Sequence, residues 1–505
     1  MKPYFFFFLI LFCQTTLGQS NERFSSQRKQ LYNAGIKHSV HYFDSLVQNL
    51  TQQRIQEKLT EPNFIDSYNE LEQRYRNQQQ IVAKIAEKWT GLQAKKPSKL
   101  IKNALALISR GQVNAALGAL QSKKNSLIEL EEEFRLDLFL FCGQKEKYSD
   151  ALPVTVKDSL DKIWSLRSEP FTKGDTFLFV QNKIFIAQKY YEEKDVASAI
   201  GTLLEAQQWN NYLNTQDLKQ RKASAHIAFT LGQWQLLKTD IDNAFRNAKL
   251  SVDIYQTLMN ENTQSEFAAA LHNLALVYKT AGANREADTI FHRAISVYEE
   301  LVQLYPERYQ PLLVQVWDDY AQVQRYFDQY DAFEKNLRKL IEWRQQLSIS
   351  NYPFYQLDLG KTLNVLGQKL MNTDVKIFLA QEQWAKSKEV LEPLQKRLLM
   401  LAGNEYCSVL YKLGGAKIAL KKRTESLPYF LQSLDTRTQL YKLAPSQNQR
   451  DYVDVLTQNA TLNALEQKKE VSIMQLDMAI KVVEELGDKK YADEIRKFKK
   501  DVQTH

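Results

Sequence analysis

The sequence predicts an all-α protein, an α-solenoid in which antiparallel helix pairs stack into a right-handed superhelix. Three observations predict it. Glycine and proline are scarce, 16 and 11 of 505 residues, against usual shares of about 7% and about 5%. Small residues recur at helical spacing: Ile186-Ala187-x-x-Tyr190 with Ala199-x-x-x-Leu203-x-x-Ala206, then Leu231-Gly232 with Ala244, Ala248 and Ser251, then Leu274-Ala275-x-x-Tyr278 with Ala287-x-x-x-Phe291-x-x-Ala294. The period is nearly constant, 45 residues from Ala187 to Gly232 and 43 from Gly232 to Ala275, as expected when one supersecondary unit repeats along a chain.

Close packing explains the pattern. Two antiparallel helices approach only where one sets a small residue against a large one. Ala187, Gly232 and Ala275 supply the small position on a first helix, and Ala199, Ala244 and Ala287 supply it twelve residues later on a second. Between them, Glu193-Lys194-Asp195, Lys238-Thr239-Asp240 and Gly282-Ala283-Asn284 form short turns, which make antiparallel neighbours. One pair cannot bury its apolar stripe alone, so each must stack on the next.

In chain order, residues 1–18 read as a secretory signal peptide. Lys2 leads a nine-residue apolar run from Phe5 to Cys13, and Thr16-Leu17-Gly18 precedes a cleavage point at Gln19. The run is too short for a membrane span of roughly 20 residues, and Phe12 stands where a lipid-acylated Cys13 would need a small residue. Residues 19–95 read as a polar helical hairpin, broken at Thr60-Glu61-Pro62, that caps the array; Ala94-Lys95-Lys96-Pro97-Ser98 reads as a linker. Residues 96–177 form irregular repeat-like helices, with a unit at 99–120 and a pair without clear repeat residues at 130–170. The array proper is assigned to 178–487. Its units at 311–400 have large or polar residues at many small positions and start at Tyr305-Pro306 and Tyr352-Pro353; Pro445 opens the last. Residues 488–505 are assigned as a charged tail.

Once quoted, these residues carry a resemblance. Leu274-Ala275-Tyr278-Ala287-Phe291-Ala294 and Ile186-Ala187-Tyr190-Ala199-Leu203-Ala206 resemble the tetratricopeptide repeat signature. The stretch 304–309 is similar to the long-period version of that repeat, with its proline before the first helix. The resemblance implies that the concave face of the first helices holds a peptide or helix. On this chain that face maps to Gln181, Ile184, Gln188 and Tyr191, then His226, Phe229, Gln233 and Leu236, then His272, Leu276 and Lys279. Gln188 and Gln233 fall in equivalent places, suited to bond an extended backbone or to complete polar contacts within the chain. His226, Phe229, His272 and Lys279 suit an amphipathic or acidic peptide. Family members that grip a terminal carboxylate do so with Lys, Asn and Arg; Ile184 and Gln188 occupy the first two of those places, which disfavours such a ligand.

Nothing in the sequence points to catalysis or a cofactor. There is no glycine-rich phosphate loop, no His-Glu-x-x-His and no Gly-x-Ser-x-Gly. His38-x-x-His41 shares a helix face but lacks further ligands for a metal. The mature chain keeps Cys142 and Cys407, too few for a disulfide framework; both are expected to be buried. Net charge is +8, and its clusters at 421–423 and 489–500 lack the interleaved aromatics of a nucleic-acid surface. The expectation is an exported, periplasmic or secreted, non-enzymatic scaffold for a protein or peptide, with self-association possible. The alternative is a glycan-binding receptor component of the cell envelope, prompted by seven tryptophans; Trp234 beside Leu231-Gly232 reads instead as packing.

Overall fold

The computed structural model describes residues 4–76, 99–109 and 173–504, apart from short segments at 193, 214–216, 260–262, 327–329, 350–351 and 372–376, together with isolated residues between 79 and 119. The linker at 94–98, the pair at 130–170, Cys142, Trp89 and Trp164 lie outside the described residues. Every regular element among the described residues is an α-helix. In order these are α1 (Tyr4–Ile55), α2 (Glu61–Arg76), α3 (Lys99–Ser109), α4 (Lys173–Glu192), α5 (Val196–Tyr212), α6 (Leu218–Leu237), α7 (Ile241–Thr257), α8 (Gln264–Thr280), α9 (Asn284–Leu304) and α10 (Pro306–Tyr326). They continue as α11 (Tyr330–Ser348), α12 (Pro353–Leu370), α13 (Ile377–Arg397), α14 (Leu399–Ala419), α15 (Arg423–Leu443), α16 (Pro445–Leu465), α17 (Lys469–Glu485) and α18 (Lys489–Thr504).

The contacts divide these helices between two units. The first comprises residues 1–32, 83–108 and 112–336, the second residues 33–82, 109–111 and 337–505. In the first unit α4/α5, α6/α7 and α8/α9 pack as pairs, each stacked on the next. Their turns are short because one residue in each takes a left-handed backbone: Lys194 at φ 65°, Thr239 at φ 60° and Gly282 at φ +76°. The aspartate after the first two of these then caps the next helix. Asp195 accepts from Ser198 N at 3.0 Å and Asp240 from Asn243 N at 3.4 Å, each satisfying a helix-terminal N–H that has no partner inside the helix. The predicted small positions meet as expected. Ala187, Ala199, Ala206, Ala244, Ala248, Ala275, Ala287 and Ala294 are all buried, and a Cβ on Gly232 would sit 3.1 Å from Ala248 N.

In the second unit the pairs are α12/α13, α14/α15 and α16/α17, with α18 against α17. Here the departures in 311–400 find their reason. Where a second helix carries a large residue, the first carries glycine opposite it. A Cβ on Gly367 would lie 2.5 Å from Trp384 Nε1, and one on Gly360 would lie 2.6 Å from Leu391 Cδ2. Trp384 is 2% exposed and donates to Asn364 O at 3.2 Å. Gly414 faces Phe430 in the same way.

Two sequence assignments change in character. Most of the stretch 488–505, read as a charged tail, is α18 (Lys489–Thr504), whose Ala492, Ile495 and Val502 join a core with Leu476, Val483 and Tyr452. Lysines dominate that stretch, but its three buried residues share one helix face. Described hairpin residues touch helix junctions in mid-chain. In the first unit Arg28 reaches Leu304 O at 3.4 Å and Glu307 at 3.2 Å. In the second, Arg54 Nε donates to Leu443 O at 2.9 Å, Asp44 pairs with Arg397 at 3.1 Å and Phe43 packs on Phe354. Leu304 and Leu443 end α9 and α15, so both arginines satisfy carbonyls that a helix C-terminus leaves unpaired.

Candidate functional site

The first helices of the first unit bring a cavity of about 470 Å³ to one face. From α4 it is lined by Ile184, Gln188 and Tyr191, and from α5 by Leu203. Its α6 wall runs from His226, Phe229 and Thr230 through Gln233 and Trp234 to Leu236 and Leu237, and Asn273 and Leu276 of α8 close it. Those positions share a face because each repeat sets the same helix turn beside the last, one period on. The α4 and α6 walls meet through aromatic stacking: Tyr191 lies on Trp234 with ring centroids 4.9 Å apart and planes 9° apart. Both core and groove use Trp234, which is buried, and Leu203, which sits in the same apolar cluster as Val180, Ile227 and Leu231.

Polar groups at the cavity differ in what they have left to offer. Thr230 donates back to His226 O at 2.9 Å, and Asn273 Nδ2 donates to Phe229 O at 3.4 Å. Gln188 and Gln233 are exposed, and neither forms a hydrogen bond among the described residues. His226 keeps part of its surface open to the groove, yet protein crowds the rest of the ring. That desolvation pushes its pKa below the usual value, only partly opposed by the charge of Glu266. The imidazole is therefore neutral at pH 7.

Eight of the eleven residues mapped to that face from sequence thus converge: Ile184, Gln188, Tyr191, His226, Phe229, Gln233, Leu236 and Leu276. Gln181 is exposed on α4 and does not line the cavity. His272 and Lys279 go elsewhere. Asp319 on α10 takes His272 Nε2 at 2.9 Å and Lys279 Nζ at 3.3 Å, and Lys279 also donates to Gln322 Oε1 at 2.6 Å. Their side chains are only 13% and 19% exposed. Burial alone would raise the Asp319 carboxyl, but His272 and Lys279 outweigh it and hold it below the usual carboxylate range. Asp319 was legible in principle, since it lies 47 residues after His272, about one repeat on. Trp234 and Leu203, read as packing residues, also line the cavity.

The remaining candidates resolve as structure. Among the described residues no group of His, Cys, Asp and Glu is placed to hold a metal. Cys407 is buried, and burial pushes its thiol up to about 11, which removes it as a nucleophile. Trp234, Trp317 and Trp384 are buried rather than displayed.

The profile of the tetratricopeptide repeat matches residues 267–304, which is most of α8 and all of α9. The same two-helix unit recurs before and after that stretch at the same spacing. Residues 267–304 are a tetratricopeptide repeat, and the helix pairs around them share its architecture. No curated protein matches the sequence. Solved structures that this chain is similar to include the apo form of RapI, 12% identical over 63% of this chain and 80% of that one, with a TM-score of 0.44. BtubC from P. vanneervenii is 13% identical over 54% and 93%, with a TM-score of 0.35. A Rap protein complexed with competence and sporulation factor is 13% identical over 81% and 99%, with a TM-score of 0.34. No helix among the described residues is long and apolar enough to cross a membrane.

Proposed function

We propose that this protein is an exported, non-enzymatic interaction scaffold that holds a peptide or helix in the groove between α4, α6 and α8. One observation carries the reading. An open apolar cavity of about 470 Å³ is walled by three first helices, and its glutamines have no bond among the described residues. Its volume falls in the range of binding clefts, roughly 300–1,000 Å³, and helix-in-groove and extended-peptide recognition both use such a surface. Export rests on the sequence at 1–18, and the mature chain would begin at Gln19.

The test is retention of envelope proteins on the immobilised chain, compared with a Phe229→Ala form of equal helicity. A partner held by the first and lost by the second supports the reading, whereas equal retention removes the groove from it. Recovery of the mature protein with Met1 intact, from the cytoplasmic fraction, would remove the export step. The glycan alternative loses its motive where tryptophans are buried; it returns if oligosaccharide, with no protein, is what the column retains.

A further inference from the structure

Assuming that groove reading, its chemistry specifies the occupant. We propose that the α4–α6–α8 groove takes an uncharged segment of a partner protein, anchored by a bulky aromatic or aliphatic side chain, and rejects an acidic one. None of the residues lining the cavity is Lys, Arg, Asp or Glu. The polar groups with capacity to spare are the amides of Gln188 and Gln233 and the neutral ring of His226. Amides bond a neutral backbone well. A buried carboxylate needs a cation, or its desolvation goes uncompensated.

Two cations on the helices that form the groove are already engaged. On α4, Lys183 pairs with Glu205 at 2.7 Å. On α8, Lys279 is held by Asp319 at 3.3 Å and by Gln322 at 2.6 Å. Glu266, near enough to act on His226, adds negative field against an acidic ligand. The apolar side fits an anchor: Phe229 and the stacked Tyr191–Trp234 pair line the interior, and Leu237 stands 63% exposed at its edge. Aromatic anchors in preformed pockets supply most of the energy in such interfaces.

The experiment pans a library of short random peptides on phage against the purified protein, then measures the most enriched sequence as a synthetic peptide by fluorescence anisotropy. Enrichment of Trp, Phe, Leu or Met with depletion of Asp and Glu is the expected result. Affinity should change less than about threefold between low and ~0.5 M salt, because no ion pair is screened. Phe229→Ala should weaken it about tenfold or more, with helicity and melting checked. Gln233→Lys, at an exposed position, should redirect enrichment toward acidic peptides. If the unaltered protein selects acidic peptides that Phe229→Ala releases, the chemistry is wrong and the groove stands. If enriched peptides ignore both Phe229→Ala and Leu237→Ser, or none is enriched, groove and occupant fall together.

Discussion

The face shared by α4, α6 and α8 and the face shared by α8 and α10 are built on the same repeat positions, yet one is open and the other is closed. Phe229 and His272 occupy equivalent places three residues before Gly232 and Ala275. Phe229 lines a cavity, whereas His272 is tied to Asp319 at 2.9 Å. Gln233 has no bond among the described residues, while Gln322, at the same place two repeats on, accepts from Lys279 at 2.6 Å. The difference lies in complementarity with the next repeat. Aliphatic and amide side chains on α4 and α6 have no opposite charge one period away, so they remain available. On α8 and α10, base and acid stand one period apart and neutralise each other. A repeat array can thus use one set of positions to bind a partner or to bind itself.

The comparison breaks most severely at the wall where groove and core coincide. Trp234→Ala should cost about 3–5 kcal/mol, the usual range for deleting a buried aromatic. Because long arrays unfold piecewise, the loss should be read as faster hydrogen exchange across α5 and α6, with α12 to α15 unchanged. Uniform acceleration over the chain would show that the units are more tightly coupled than stacking implies.

The next effect belongs to the closed face. Asp319→Ala leaves two half-buried donors without their acceptor and should cost about 1–3 kcal/mol, measured as a shift in the chemical denaturation midpoint. Apolar peptide binding at the open face should not change. The same pair of faces can be separated by acid. Asp319 is held below the ordinary carboxylate value of about 3.9, so its contribution is complete above that pH and is lost as pH falls through the lower folded value. The stability gap between the protein and Asp319→Asn should therefore narrow below about pH 4. A gap that stays constant further into acid would mean that the tie is not ionic.

His226 tests the open face in a milder window. Its folded pKa is depressed by burial, so above about pH 6.5 the ring is neutral in both folded and unfolded chains and carries no penalty. As pH falls below that, the unfolded chain takes the proton first and the folded state loses ground. His226→Asn should flatten melting temperature against pH from about 6.5 downward; an unchanged slope would place the sensitivity in another group.

The smallest effect lies in the turns of the two repeats. Thr239 sits at φ 60° where the next repeat has Gly282 at φ +76°, and a left-handed backbone costs a β-branched residue roughly 1–2 kcal/mol. Thr239→Asn should gain about 0.5–1 kcal/mol, read as a small rise in melting temperature. Gly282→Thr should lose a similar amount.

Periodicity alone determined the helix pairs and their turns, and the repeat resemblance pointed to the face on which a groove forms. Those features repeat within one unit of the chain, and a residue's neighbours three, four or twelve positions away already state them. Tertiary structure decided the rest. Gly367 against Trp384 reads in sequence as a lost small position, and only the docked pair shows that glycine and tryptophan exchange volume. The stripe Ala492, Ile495 and Val502 hides among lysines until α17 lies beside it. Arg54 looks like a surface arginine until the carbonyl of Leu443, 389 residues away, stands 2.9 Å from it. The open and closed faces differ for the same reason. Whether a polar side chain is free depends on which group the neighbouring repeat sets opposite it, and that partner is fixed by stacking rather than by local sequence.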